Sequence, residues 1–144
     1  EPRREHLELL SQATTAVAQH PNCLIIHNPR GNVSISPAMF NDAVRNNLAP
    51  MHIAPVWITQ SGGELRGYSM GLVQAGHPEI QARTSSMDPT DLYYKLANTA
   101  DHILQGATVK GGDTLAFEEG QASLTITEEP WFVDQNFPAV TINF

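Results

Sequence analysis

With one cysteine in 144 residues, Cys23, the chain has no internal disulfide to brace it. Cys23 sits in Asn22-Cys23-Leu24-Ile25-Ile26, with no nearby cation or helix start to activate the thiol, which predicts a small apolar residue packed in a buried strand. A lone buried thiol suits a reducing compartment, so the expected location is cytoplasmic. Long apolar runs are also missing. None approaches the roughly 20 residues of a membrane span, and Glu1-Pro2-Arg3-Arg4-Glu5 has no apolar signal core, so no membrane partner is expected. Six histidines and scattered carboxylates offer the ligand types zinc uses, yet H-x-x-x-H, H-E-x-x-H and C-x-x-C are all absent. No metal and no other cofactor is expected. His27, His52, His77 and His102 fall 25 residues apart, but their flanking sequences share nothing, so the spacing marks no repeat.

Lysine is scarce, and where it is scarce matters. Residues 1–83 carry six arginines and six acids, which cancel. Beyond them only Lys95 and Lys110 stand against Asp88, Asp91, Asp101, Asp113, Glu118, Glu119, Glu128, Glu129 and Asp134, so this part supplies the whole net charge of −7. Nucleic-acid affinity rests on clustered Lys and Arg, so no nucleic-acid partner is expected. A basic protein is the partner such a surface would favour, beside the plainer reading of acids that keep a domain soluble.

A hydrophobic share of 41% over this length predicts one globular domain spanning 1–144, with an N-terminal part (1–50) of helices and a strand and an α+β core over 51–144. Leu7, Leu10, Thr14 and Val17 form a helical stripe over Arg3–His20, expected to dock on the domain edge. Asn28-Pro29-Arg30-Gly31 has turn chemistry at every position. Ser36-Pro37 caps a helix expected to run from Ala38 to Leu48 and stop at Pro50. Ile53–Thr59 reads as a strand kept at an edge or bulge by Pro55, joined through Gly62-Gly63 to a strand over Arg66–Val73. Glu79–Thr84 is a further strand. Asp88-Pro89 opens a helix with Leu92, Leu96, Ala100 and Ile103 on one face and Gly106 at its stop. A hairpin turning at Glu118-Glu119-Gly120 and a last strand over Pro138–Phe144 complete a mainly antiparallel sheet with helices on one side.

The chemistry concentrates in Tyr68–Arg83. Tyr68, Met70 and Leu72 alternate with Ser69, Gly71 and Val73, presenting the larger residues to one side. The chain then meets Gly76-His77-Pro78-Glu79, where Gly permits positive φ and Pro holds His77 extended. His77 and Glu79, two apart, are the candidate catalytic pair, a base and its orienting carboxylate. Nucleophile and phosphate motifs are lacking: Ser69 has no G-x-S-x-G elbow, and neither Pro29-Arg30-Gly31-Asn32 nor Gly62-Gly63 follows nucleotide-loop spacing. Trp131-Phe132, behind Glu128-Glu129-Pro130, either closes the core beneath a loop or forms an exposed anchor with a charged rim. Trp57 reads as core.

Tyr68-Ser69-Met70-Gly71-Leu72, Gly76-His77-Pro78-Glu79-Ile80 and Phe137-Pro138-Ala139-Val140 together resemble a bacterial family known as domain of unknown function 4262, over roughly Trp57 to Phe144. The resemblance implies a shared fold and a shared corner at Gly76–Glu79, with no reaction attached. Three readings follow. The first is a recognition domain that meets a protein partner or small ligand through Tyr68, His77, Glu79, Arg83 and Trp131. The second is a hydrolase using His77 and Glu79. The third is an immunity or antidote-type protein whose acidic half blocks a basic toxin.

Overall fold

A computed structural model of the chain describes residues 2–117 and 123–144, and its first element is α1 (Pro2–Ala18). The stripe that α1 buries is rotated from the expected one: Ser11 and Ala18 are buried with Leu7 half-buried, whereas Leu10 and Val17 face solvent. A short polar residue and an alanine let α1 lie close to its neighbours. Of the buried strand expected over Asn22–His27 only Ile26 and His27 are in a strand, neither of them buried; Cys23–Ile25 forms none, and Leu24 is 84% exposed. Cys23 is half-buried. A small ribbon follows instead, β1 (Ile26–Asn28) against β2 (Val33–Ile35), closed by Asn28, whose Oδ1 accepts from the Arg30 and Gly31 amides.

Ser36 caps α2 (Pro37–Arg45) by accepting from the Met39 amide at 3.2 Å. Pro50 does not stop that helix; α2 ends at Arg45 and Pro50 sits in the first turn of α3 (Ala49–His52), where its missing N–H costs nothing. Pro55 precedes β3 (Val56–Ser61), which is an edge strand as Pro55 suggests. The Gly62-Gly63 turn, with both φ positive, links it to β4 (Glu64–Ser69) in register Ser61 to Glu64. β4 stops at Ser69, four residues before the expected end, because Gly71 turns away at φ 130° into a 3-10 turn over Leu72–Ala75. Next come β5 (Glu79–Thr84), α4 (Pro89–Leu104), β6 (Thr114–Leu115), β7 (Leu124–Pro130) and β8 (Pro138–Asn143). The expected turn at Glu118-Glu119-Gly120 lies outside the described residues.

The six strands are ordered β3-β4-β5-β8-β7-β6, and every neighbouring pair is antiparallel except β5–β8, which is parallel. The ribbon β1–β2 is separate. The fold is α+β, a single small domain. α4 packs across β3, β4 and β5, and it buries Leu92, Leu96, Ala100 and Ile103 against Leu65, Ile80, Val140 and Ile142. On β4 the small residues face this core: Gly67 and Ser69 are buried while Tyr68 is half-buried on the other side. A Cβ at Gly67 would overlap Leu96 Cδ1, so glycine sets how closely α4 approaches the sheet. Among the described residues, no helix is long and apolar enough to cross a membrane.

Candidate functional site

The sheet's second face is polar and is roofed by residues 131–137. Gln81, fully buried, works as a latch: its Nε2 donates to the Pro130 carbonyl and to Thr141 Oγ1, and its Oε1 accepts from the Phe132 amide at 2.8 Å. Phe132 lies beneath the guanidinium groups of Arg66 and Arg83, 5.7 and 5.3 Å from its ring centre. Arg83 also pairs with Glu129 at 2.8 Å. This roof sends Trp131 and Phe137 toward the Gly76–Glu79 corner.

The corner is set by backbone geometry. Gly71 has no room for a Cβ, which would sit 2.5 Å from the Ile53 carbonyl oxygen, and Gly76 takes φ 89° and donates to the Val73 carbonyl. Glu79, only 4% exposed, turns its carboxylate back into this turn. Its Oε2 accepts the Ser69 hydroxyl at 2.5 Å, and its Oε1 accepts the amides of Gly71 at 2.7 Å and Val73 at 3.3 Å. Glu79 thus clamps the 3-10 turn onto the end of β4. No hydrogen bond joins His77 to Glu79 among the described residues, so the expected base and orienting group are not assembled as a pair.

Two pockets flank the corner, with Pro78 and Pro138 shared between them. His77 belongs to one of about 350 Å³, with Ile103, Val109, Lys110 and Glu128. Glu79 and Trp131 belong to the other, of about 370 Å³, with Arg30, Gly71, Val73, Gln74 and Phe137. Arg30 reaches this second pocket because its ribbon is fastened to β3: Trp57 Nε1 donates to the Gly31 carbonyl at 3.0 Å, and Gly31 lies against Pro55. Val73 and Phe137 are exposed, at 60% and 59%. Of the five expected contact residues, the structure brings Glu79 and Trp131 to one pocket and His77 to its neighbour. Tyr68 and Arg83 line neither; Arg83 stands over Phe132 on the sheet face.

Arg30, Val73, Gln74 and Phe137 were not among the expected contact residues: Arg30 reads as part of a turn, and Val73, Gln74 and Phe137 carry side chains with no chemistry that singles them out. Arg30 carried the one available signal, a cation in a turn. His52 was also missed. It lines a pocket of about 270 Å³ between α1 and the ribbon, its Nδ1 lies 3.1 Å from Ser11 Oγ, and its Nε2 is buried without a partner among the described residues. Burial pushes the His52 pKa below its ordinary value, partly opposed by the charge of Glu8. Among the described residues, no group of three His, Cys, Asp or Glu side chains is placed to hold a metal ion.

The acids of the C-terminal half are largely engaged one by one. Asp88 caps α4, Asp113 accepts from the Lys110 amide, Asp134 from Asn136, Asp101 from Gln105, and Glu129 pairs with Arg83. Glu118 and Glu119 lie outside the described residues.

The model of the family described as Domain of unknown function (DUF4261) matches residues 68–143, over half of the chain, and the chain belongs to that family. The family is therefore number 4261, not 4262, and the match begins at Tyr68 and not at Trp57. It takes in the corner, α4, the roof and the parallel β5–β8 pair, and it leaves out α1, the ribbon and β3. No curated protein and no solved structure matches the chain.

Proposed function

We propose that this chain is a recognition module that seats a ligand against the Gly76–Glu79 corner, in the pocket between Trp131, Phe137 and Arg30. One observation carries this reading: apolar side chains that are exposed, Phe137 and Val73, rim a concave site of about 370 Å³ with a cation at its edge. Pockets of a few hundred Å³ with apolar walls and a few polar groups are the usual form of a small-ligand or anchor-residue site. Aromatic residues in such a cleft are the usual anchors of a protein contact. His77 and Lys110 in the adjoining pocket extend the surface past Pro78 and Pro138.

Nuclear magnetic resonance of labelled protein tests the reading with small neutral aromatic fragments such as benzyl alcohol and indole. The expected result is shift changes grouped at the Trp131 indole, Val73 and Gly71 that Phe137→Ala abolishes. Shifts grouped elsewhere, for instance in the larger pocket of about 690 Å³ beside α4, would overturn it.

A further inference from the structure

The same pocket offers donors without acceptors. Its one positively charged lining side chain is Arg30, which makes no ion pair among the described residues. Trp131 Nε1 and Gln74 Nε2 are buried with no hydrogen-bond partner among the described residues; both side chains line this pocket, and Gln74 also borders the one beside His52. Buried N–H groups are nearly always matched, so two orphans around one cavity call for an explanation. An acceptor arriving from outside supplies one. The one carboxylate of the lining, Glu79, does not serve them: among the described residues its donors are the Ser69 hydroxyl and the Gly71 and Val73 amides. Those three bonds fix Glu79 as a structural acceptor at the foot of the pocket.

We infer that the pocket is a carboxylate site: it takes a carboxylate borne on an apolar group, with Arg30 and the Trp131 and Gln74 N–H groups receiving the oxygens and Phe137 and Val73 covering the apolar part. This rests on the recognition reading and narrows it to one ligand chemistry. A guanidinium binds a carboxylate through paired, charge-assisted hydrogen bonds, and the fastening of the ribbon to β3 through Trp57 holds Arg30 where such a bond can form. Two sources carry this chemistry, a free organic acid and the C-terminal residue of a protein.

Titration with phenylacetate, its methyl ester and phenethylamine, and with acetyl-Ala-Ala-Phe bearing a free or an amidated C terminus, separates the possibilities. The acids should bind with shifts at the Trp131 indole N–H, and the ester and amide should bind at least about tenfold more weakly. Tighter binding by the peptide assigns the carboxylate to a protein terminus, and tighter binding by phenylacetate to a free acid; either supports the site. Arg30→Gln should lose about tenfold in affinity, and Trp131→Phe, which keeps a ring and removes the N–H, should lose part of it. Equal binding of acid and ester at Trp131 would overturn the carboxylate while leaving the recognition reading in place. Preference for phenethylamine, an unchanged Arg30→Gln, or no binding by any acid would likewise overturn it, and the neutral fragments then judge the recognition reading by themselves.

Discussion

Ser69 and Glu79 are joined at the foot of the site: Ser69 Oγ donates to Glu79 Oε2 at 2.5 Å and itself accepts the Ile80 amide at 2.9 Å. A conformational glycine and a buried carboxylate therefore hold the corner, and the histidine between them is not part of the clamp. Glu79→Ala should leave the Ser69 hydroxyl and the Gly71 and Val73 amides without their acceptor and destabilise the fold by about 3 kcal/mol or more, since a hydrogen bond to a charged group is worth about 1.5–3 kcal/mol. His77→Ala should stay within about 1 kcal/mol of wild type, as a change away from such networks. Urea unfolding of the two variants compares them, and the reverse ranking would refute the clamp.

Gln81 controls the roof. Gln81→Ala removes the bonds donated to the Pro130 carbonyl and to Thr141 Oγ1 and the one accepted from the Phe132 amide, which fastens the roof where it leaves β7. Hydrogen exchange at residues 131–137 should speed up, and the shift response of Trp131 to aromatic fragments should weaken. Unchanged exchange in that segment would show that Arg66 and Arg83 on Phe132 are enough to hold it.

His52 predicts an acid-side loss of stability. Its folded-state pKa is lowered, so the unfolded chain binds the proton more readily, and stability is complete above the unfolded value near 6.5. As pH falls through 6.5 toward the depressed folded value, that stability is lost. His52→Gln should flatten the slope of unfolding free energy between pH 7 and pH 5, roughly the window a histidine covers. A variant with the wild-type slope would show that other groups set it.

Leu96, on the sheet-facing side of α4, is fully buried against Gly67 of β4. Leu96→Ala should cost about 2–5 kcal/mol in unfolding free energy. A cost under about 1 kcal/mol would mean that α4 settles onto the sheet to fill the space.

Local chemistry was legible wherever one residue type has one structural use. Asp88-Pro89 and Ser36-Pro37 cap helices, Gly62-Gly63 closes a hairpin, and Pro55 precedes an edge strand, each as its own physics requires. Facing was less legible. Period two marks Tyr68 and Ser69 as opposite, but only the approach of α4 to Gly67 decides that the small side is the core side. The α1 stripe slipped for a related reason: Ser11 is buried because His52, far along the chain, gives its hydroxyl a partner. Leu24 and Ile25 read as buried from hydropathy alone, and they are exposed because nothing in the described fold covers them. The corner was visible in Gly76–Glu79, yet its pocket was not, since Arg30, Val73, Trp131 and Phe137 meet there from three separate segments.

The parallel seam between β5 and β8 joins residues as far apart in sequence as Gln81 and Thr141, a separation of 60. Closing so long a loop costs more chain entropy than forming the β3–β4 hairpin or α4, so the local elements have the advantage in order of assembly. During synthesis the N-terminal segments emerge first. The cleft between Trp131, Phe137 and Arg30 has no existence in the nascent chain until Phe137 and Pro138 have been made and β8 has paired beside β5, so a partially synthesised molecule lacks it whatever else has already folded.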